Sequence, residues 1–339
     1  MADADSTVVS VVYELEYPLL LLQARSMARY LREGQFREII VIDNSTKGMP
    51  LIVQRQLMAQ YGPLAPSVTV LRAHEISQSP RAVGWSSQQQ LKLAVATRVK
   101  TRTFVLLDAK NHFIAPLPPD FFEGPDGRLK ASWHSYAKHP LRRNLERVLR
   151  YLQLDPSRYV PWFTATVTPF ALRTEIVTSM MTDIERRSRR TFAEEFVKND
   201  LTEFFLYAGW IISQGRDIED VYDLNQLPTC PIVWPKSADE CGVAAAIATA
   251  EDHDLPIFAV HRRALVNLPD EAVRMLADFW AGRELFPSAE EAESFVAEFR
   301  AQHESQIRAQ TRRDLPGKVL SVPRKVRREL MHRLPRVGG

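Results

Sequence analysis

Apolar residues in the first third of the chain occur in two patterns, short β-branched runs and longer stretches with helical spacing. The β-branched runs predict buried strands, and the stretches between them predict helices. Strands are predicted at Thr7 to Tyr13, Glu38 to Ile42, Ser67 to Leu71 and Thr103 to Leu107. One intervening helix is predicted over Leu19 to Arg32, and another begins near Gly84. Strands that alternate with helices are typical of α/β proteins, so we predict a mostly parallel sheet flanked by helices.

Polar side chains follow two of the predicted strands directly. The strand that begins at Thr103 is followed by Asp108, Lys110, Asn111 and His112. The strand that begins at Glu38 ends at Asp43 and Asn44. Ligands of open α/β sheets bind beyond the carboxyl ends of the strands. We therefore predict that Asp43 and Asp108 lie at one edge of the sheet and belong to a binding site.

The helix that begins near Gly84 carries polar residues close in sequence to Asp108. One of its serines, Ser86 or Ser87, is expected to cap the start of the helix. The polar residues that follow are Gln88, Gln89 and Lys92. Such a helix start is often exposed to solvent, and the alternative is a partly buried polar face beside the strand end.

Composition and charge describe an ordinary globular chain of 339 residues, 45% hydrophobic and 25% charged. A net charge of +3, from 44 basic and 41 acidic residues, gives no argument for nucleic acid as a partner. The N-terminal residues lack the pattern of a signal peptide, and the run from Leu19 to Leu22 is too short for a membrane span. Cys230 and Cys241 form no disulfide framework or zinc motif. We expect a cytoplasmic protein.

Two motifs carry a resemblance to a known family. They are Gly-Trp-x-x-Gln-Gln-x-x-Lys-Leu at Gly84 to Leu93 and Phe-Val-Leu-Leu-Asp at Phe104 to Asp108. Together they resemble a bacterial family of uncharacterised proteins with a Rossmann-like GT-A glycosyltransferase fold, over about Thr7 to Phe299. The resemblance implies transfer of a sugar from a nucleotide-diphosphate sugar to a hydroxyl of a glycan or lipid-linked acceptor. It also implies that Asp43 and Asn44 contact the nucleotide base and ribose.

The resemblance implies one catalytic domain over residues 1–300, with a nucleotide-binding half at 7–116 and an acceptor half at 117–300. A basic helical tail over residues 301–339 is expected as a C-terminal extension. Basic and apolar residues are interspersed over residues 318–336. Such a segment either lies on an anionic membrane surface or is a solvated terminus. If it docks, the acceptor is expected to be lipid-linked or a polysaccharide made at the inner membrane face.

The strand end at Asp108 departs from the pattern of GT-A enzymes, which usually carry Asp-x-Asp there. The motif holds a divalent cation, which prefers oxygen ligands, but the second acid is Lys110 in this chain. Either Lys110 neutralises phosphate as a point cation without a metal, or Asp108 and Asn111 hold Mg²⁺ or Mn²⁺ with help from His261. A third interpretation is a protein that binds a nucleotide or glycan and catalyses nothing.

A later apolar strand, which begins at Pro256, ends on His261 and two arginines. Arginine side chains match phosphate oxygens through two parallel hydrogen bonds. The resemblance implies that His261 completes the metal or diphosphate site. The residues predicted to bind the donor are Asp43, Asn44, Gln88, Gln89, Lys92, Asp108, Lys110, Asn111, Arg262 and Arg263.

Glu203 opens a predicted helix whose other residues are nearly all apolar. A carboxylate at this position gains from the helix dipole, and burial can tune its basicity. By the resemblance, Glu203 is the predicted general base of an inverting reaction, with Asp200 as its substitute. The alternative is that Glu203 only caps the helix.

Overall fold

The structure is a computed structural model that describes residues 5–77, 85–224 and 230–320. For Trp85 and for residues 309–320 it describes the backbone alone. The predictions that concern Gly84, and those for the basic tail beyond residue 320, fall outside the described residues.

The strands and helices are numbered along the chain. The strands are β1 (Ser6–Val12), β2 (Glu38–Asp43), β3 (Val68–Arg72), β4 (Thr103–Asp108), β5 (Asn111–Phe113), β6 (Leu129–Lys130), β7 (Trp133–His134), β8 (Phe163–Thr164), β9 (Phe170–Arg173), β10 (Tyr222–Asp223), β11 (Ile232–Val233) and β12 (Ile257–Val260). The helices are α1 (Tyr17–Tyr30), α2 (Leu51–Tyr61), α3 (Ala73–Ile76), α4 (Trp85–Ala94), α5 (Arg142–Tyr151), α6 (Pro156–Tyr159), α7 (Thr174–Ser188), α8 (Phe192–Lys198), α9 (Glu203–Ser213), α10 (Glu240–Asp252), α11 (Arg262–Asn267), α12 (Asp270–Gly282) and α13 (Ala289–Leu320).

The main sheet has five strands in the order β3-β2-β1-β4-β9. The first four strands are parallel, and β9 runs antiparallel to β4 at one edge. The chain moves outward from β1 through β2 to β3 and then returns to place β4 on the other side of β1. This reversal is a topological switch point, and it opens a crevice between the carboxyl ends of β1 and β4. The predicted α/β fold with a mostly parallel sheet and a helical C-terminal part is confirmed.

The same reversal puts helices on both faces of the sheet. Crossovers between parallel strands are right-handed, so α1 and α2 cover one face and α4 covers the other. In agreement, α1 packs against α2, and α4 packs against α8 and α9. The crevice is therefore bordered by two different groups of helices.

A second sheet brings the end of β12 to the crevice. It has the order β11-β12-β5, with β5 antiparallel to β12 and Ala259 opposite Asn111. The backbone N–H of Val260 donates to the carbonyl of Lys110, at 3.4 Å. Residues that follow β12 consequently lie beside those that follow β4, although about 150 residues separate the two strands in sequence.

The apolar patterns predicted the buried faces correctly. The residues of β4 from Phe104 to Leu107 are buried, as are the residues of α9 from Phe204 to Ala208. Helix α5 buries Leu145, Val148 and Leu149 on the face that its helical spacing predicts. Packing of these faces around the main sheet holds the strand ends in place.

Three local predictions were wrong. The sequence predicts one short strand over Leu129 to His134, but the segment forms two short strands in separate sheets, because Leu129 pairs with Tyr222 while Trp133 pairs with Thr164. Helix α4 begins at Trp85, so the serines that follow lie inside its first turn. The sequence predicts a helix over Ser288 to Arg300 that is separate from the helical tail, but α13 runs without a break from Ala289 to Leu320. Among the described helices, none combines the length and apolar content of a membrane span.

Candidate functional site

The candidate site lies in the crevice between the carboxyl ends of β1 and β4. Asp108 is the last residue of β4 and is paired with Val11, near the end of β1. A 3-10 turn over Glu14–Glu16 follows β1 and lies on the other side of the crevice. The topology thus brings one acidic strand end against a second acidic segment at the switch point.

A buried lysine connects two carboxylates at the base of the crevice. The ammonium of Lys92, on α4, lies 2.7 Å from Oδ1 of Asp108 and 3.4 Å from Oε1 of Glu203. It also lies 5.5 Å from the ring centre of Phe204. Glu203 is the first residue of α9, and 7% of its side chain is exposed. The structure therefore brings together three of the predicted residues in one buried cluster.

Charge pairing determines the protonation of this cluster. Burial by itself would raise the pKa of Asp108, but the ammonium groups of Lys110 and Lys92 outweigh it and hold that pKa well below its usual range. Burial would lower the pKa of Lys92, yet Asp108 and Glu203 raise it. For Glu203, burial raises the pKa, and the Lys92 ammonium opposes this shift only in part. Asp108 is thus a carboxylate and Lys92 an ammonium at neutral pH.

Lys110 pairs with the other oxygen of the same carboxylate. Its ammonium contacts Oδ2 of Asp108 and lies 3.4 Å from the hydroxyl of Thr168. It also lies 5.9 Å from the ring centre of Trp234. Asp108 therefore holds two ammonium groups at the strand end, where the usual motif would hold a metal ion.

The end of β12 adds further basic groups. His261 accepts a hydrogen bond at Nδ1 from the backbone N–H of Arg263, at 3.1 Å, and so caps α11. Burial, the nearby Lys110 ammonium and the adjacent arginines lower the pKa of His261 to about 4, so its ring is neutral at pH 7. The guanidinium of Arg262 lies 3.7 Å from Oε1 of Glu16 and 5.4 Å from the ring centre of Tyr13. Arg263 is exposed.

Glu16 is a member of the site that the sequence interpretation missed. Burial raises its pKa to about 7, and the negative charge of Asp108 adds to the shift, while Arg262 opposes it. About a fifth of the side chain remains exposed, at 21%, so it is more open than Glu203. The rule that located Asp43 and Asp108 also applies to this residue, because it closely follows the first strand.

Two predicted donor-binding residues are occupied by structural hydrogen bonds. Asp43 is buried, and its carboxylate accepts from Tyr17, Ser45, Met49 and Arg72. Asn111 is buried as well: its Oδ1 accepts from the backbone N–H of Asp108 at 2.8 Å, and its Nδ2 donates to the carbonyl of Thr168 at 3.1 Å. Asp43 thus shapes the loop after β2, and Asn111 fixes the turn after β4.

The other predicted residues lie at different distances from the cluster. Asn44 accepts a hydrogen bond from the hydroxyl of Ser87, at 3.2 Å, which ties the end of β2 to the start of α4. On that helix Gln88 is half-buried and Gln89 is buried. Asp200 is exposed and forms an ion pair with Arg147, so the structure does not bring it to the Asp108 cluster.

The donor set at Asp108 does not fit a divalent cation. Both oxygens of Asp108 are paired with ammonium groups, and a cation placed there would be repelled by them. The amide of Asn111 is already hydrogen-bonded at both ends, and Nδ1 of His261 caps a helix. Within the described part of the chain, no three histidine, cysteine, aspartate or glutamate side chains are grouped to hold a metal ion. The predicted set of Asp108, Asn111 and His261 therefore does not form a metal site in this structure.

The raised pKa of Glu16 predicts a pH-dependent stability. Between the ordinary value of 4.5 and about 7 the folded protein binds the extra proton, so this group lowers stability as pH rises through that range. Glu16→Gln removes the penalty. At pH 8 the variant is expected to be more stable than the wild type by up to about 3 kcal/mol, at about 1.4 kcal/mol per pKa unit.

Urea unfolding of both proteins at several pH values measures this effect. The gain in stability should be small near pH 4, where the carboxyl is protonated in both the folded and the unfolded chain. A gain that is the same at every pH would contradict the assigned pKa.

Comparison with solved structures found glycosyltransferases among the similar folds. The bifunctional glycosyltransferase WbbM, in an apo structure, is 11% identical with a TM-score of 0.46; the match covers 84% of this chain and 52% of WbbM, so this chain spans about half of its length. The galactosyltransferase LgtC, in complex with donor and acceptor sugar analogues, is 10% identical with a TM-score of 0.45 and coverages of 82% and 99%. A mycobacterial protein is 15% identical with a TM-score of 0.35 and coverages of 64% and 76%.

Comparison with curated proteins found no match. A family model described as a family of unknown function, DUF6492, matches residues 17–237. This range includes the cluster of Lys92, Asp108, Lys110 and Glu203 but ends before β12. The match extends over more than half of the sequence, and the chain therefore belongs to the DUF6492 family.

Proposed function

We propose that this protein is a glycosyltransferase that moves a sugar from a nucleotide-diphosphate sugar to a hydroxyl group of an acceptor. The observation that carries the proposal is the cluster of Lys92, Asp108 and Lys110 at the switch point of the sheet. Ligands of α/β sheets bind in this crevice, and a departing diphosphate needs positive charge beside it. The cluster lies in this crevice and carries the ammonium groups of Lys92 and Lys110.

Cations of the chain itself would stabilise the leaving diphosphate. Lys110 pairs with Oδ2 of Asp108, and Arg262 stands across the crevice beside Glu16. An ammonium and a guanidinium can pair with the non-bridging oxygens of a diphosphate, and the guanidinium can do so through two hydrogen bonds. Because the donor set does not fit a divalent cation, we assign the charge stabilisation to these side chains.

The nucleoside would lie between the end of β2 and the start of α4. Asn44 and Ser87 join these two elements, and the half-buried Gln88 follows on the helix. Asp43 would act indirectly, because its hydrogen bonds hold the loop that begins at Ser45. Gln89, Lys92 and Arg263 complete the proposed donor-binding set.

The proposed step is a direct displacement at the anomeric carbon. The acceptor oxygen forms a bond to this carbon while the bond from the carbon to the diphosphate oxygen breaks. The electron pair of the broken bond stays on the diphosphate, and the proton of the acceptor hydroxyl passes to a carboxylate. Such a displacement inverts the anomeric configuration, and NMR of the product would contradict it by showing retention.

Two carboxylates of the crevice have a raised pKa, and a general base works best when its pKa lies near the operating pH. Glu203 is the base that we propose from its place at the start of α9, and burial raises its pKa. Glu16 is the second candidate, because it is more open and its pKa is raised to about 7. The profile of kcat against pH for Glu203→Gln and Glu16→Gln separates them, since loss of the base removes the acidic limb.

The proposal predicts that donor binding and turnover continue in EDTA, since lysine and arginine replace the metal ion. A panel of nucleotide-diphosphate sugars, each with EDTA, Mg²⁺ or Mn²⁺, would be tested for release of nucleoside diphosphate, and binding would be followed by calorimetry. Turnover that requires Mg²⁺ or Mn²⁺ would contradict the assignment of charge stabilisation to the side chains.

The same experiment tests a second function, a protein that binds a nucleotide or glycan without catalysis. The burial of Glu203 behind Lys92 favours this alternative, because a base has to reach the acceptor hydroxyl. Tight binding without turnover for every donor, with no effect of Glu203→Gln or Glu16→Gln, would replace the enzyme proposal with the binding protein.

A further inference from the structure

A groove of about 860 Å³ opens from the crevice on the face of the sheet that carries α1 and α2. It runs between α1, α2 and α13. Its walls expose more apolar than polar surface and include Tyr17, Leu21, Val53, Phe286 and Phe295, together with polar side chains such as Glu14, Gln56 and Glu298. This volume is within the range of small-molecule sites, which are typically apolar with a few polar groups.

The groove is elongated, and one end meets the proposed catalytic crevice. At that end Gln306 of α13 lies 3.5 Å from the carbonyl of Glu14, and Tyr13 lines the wall. The ring of Tyr13 lies against Arg262, which pairs with Glu16 in the crevice. Along α13 the lining extends from Phe295 to Gln306, which is about 16 Å at 1.5 Å per residue.

The lining of the groove also includes Arg25, a charged group whose hydrogen bonds are already made within the protein. Arg25 donates to Gln60 at 2.8 Å and to the carbonyl of Leu285 at 3.0 Å, and its guanidinium lies 4.7 Å from the ring centre of Phe286. Its charge therefore does not require a ligand group in the groove. Beside Arg25 the lining combines the apolar ring of Phe286 with polar side chains such as Gln60.

The open end is flanked by exposed apolar residues. Pro50 lines the groove, and the next two residues, Leu51 and Ile52, are 71% and 62% exposed. Lys47, in the loop that precedes them, also lines the groove and is exposed. An exposed pair of aliphatic side chains beside a cation suits contact with an anionic lipid surface.

We propose that this groove binds the hydrocarbon chain of a lipid-linked acceptor. The inference rests on the proposed function, because it places the polar head of the acceptor at Tyr13, beside the Arg262–Glu16 pair of the crevice, where its hydroxyl meets the donor. The wall along α13, about 16 Å long at 1.5 Å per residue, sets the length of extended hydrocarbon chain that the groove accommodates. Burial of apolar surface favours binding, so the hydrocarbon chain itself contributes to affinity.

The full-length protein would be titrated with cis-parinaric acid, a fatty acid whose fluorescence rises when it is buried. Leu21→Trp fills the groove from α1 and is expected to weaken binding at least tenfold, and Val53→Trp should do the same from α2. Leu141→Trp is the matched control, since it enlarges a partly buried leucine outside the groove. Thermal unfolding of each variant confirms that it is folded.

Nucleoside diphosphate binding, measured on the same proteins, separates this inference from the proposed function. The inference is supported if the groove variants lose the fatty acid and keep the nucleotide. If the wild type binds the fatty acid but no nucleoside diphosphate, and both groove variants fail to bind the fatty acid, the glycosyltransferase proposal is overturned and the lipid groove stands. Equal fatty-acid binding by all four proteins overturns the groove. The groove proposal is also overturned if the wild type binds no fatty acid and sediments as a dimer that Leu51→Ser dissociates.

Discussion

Lys92→Met is expected to lower the free energy of unfolding by about 3–5 kcal/mol, the usual cost of removing one partner from a buried ion pair. The variant would leave the carboxylates of Asp108 and Glu203 near each other without the cation that both contact. Methionine nearly matches the length of lysine, so the loss would come from charge rather than from packing. Urea denaturation at pH 7 measures it.

The matched control for this result is Lys138→Met, an exposed lysine whose replacement should have little effect on stability. Adding Glu203→Gln to Lys92→Met should recover part of the lost stability, because it removes the buried carboxylate that lost its contact with the Lys92 ammonium. If Lys92→Met were as stable as Lys138→Met, the buried cluster would have no energetic role.

The largest effect on activity is expected for Lys110→Met. This change removes the ammonium that pairs with Oδ2 of Asp108, but Lys92 still pairs with Asp108, so the fold should survive. Loss of one group that stabilises transition-state charge typically lowers kcat about 100-fold to 1000-fold. Measurement of kcat and KM with the best nucleotide sugar of the panel tests this expectation.

Two further variants serve as controls for the Lys110→Met measurement. Lys110→Arg keeps the positive charge and should restore part of the activity, whereas the surface variant Lys138→Met should behave as the wild type. Activity of Lys110→Met within a fewfold of the wild type would show that the diphosphate is stabilised elsewhere in the crevice.

Local patterns predicted the secondary structure well where one type of side chain dominates. The β-branched and aliphatic runs of β1, β2 and β4 were located to within a residue or two, because burial on both faces of a parallel strand leaves a continuous apolar run. The two short strands that contain Leu129 and Trp133 were merged, because two-residue strands depend on distant partners and leave no periodicity of their own.

Residue chemistry located the site only in part. Asp108, Lys92 and Glu203 were each singled out, but their connection through one ammonium was not foreseen. The contact between Lys92 and Glu203 spans 111 residues of sequence. Glu16 was missed because a glutamate that follows a strand looks like any surface residue until burial and neighbouring charges are known.

The metal prediction was limited for the same reason, because the sequence does not show which side chains are already hydrogen-bonded in the folded protein. Replacement of the second acid by Lys110 was visible in the sequence, and it left both a metal and a lysine as the source of positive charge. The structure pairs each oxygen of Asp108 with a different ammonium and uses Asn111 to hold the turn. Which donors remain available depends on hydrogen bonds that only the folded chain forms.

The sequence by itself determined the alternation of strands and helices, the acidic end of β4 and the basic end of β12. These features follow from side-chain polarity and from spacings of a few residues, which are local properties of the chain. Tertiary structure alone decided that the two strand ends meet, that Lys92 lies between Asp108 and Glu203, and that an apolar groove opens beside them. The physical reason is that sheet order and helix packing set distances between residues far apart in sequence, and those distances set charge, burial and pKa.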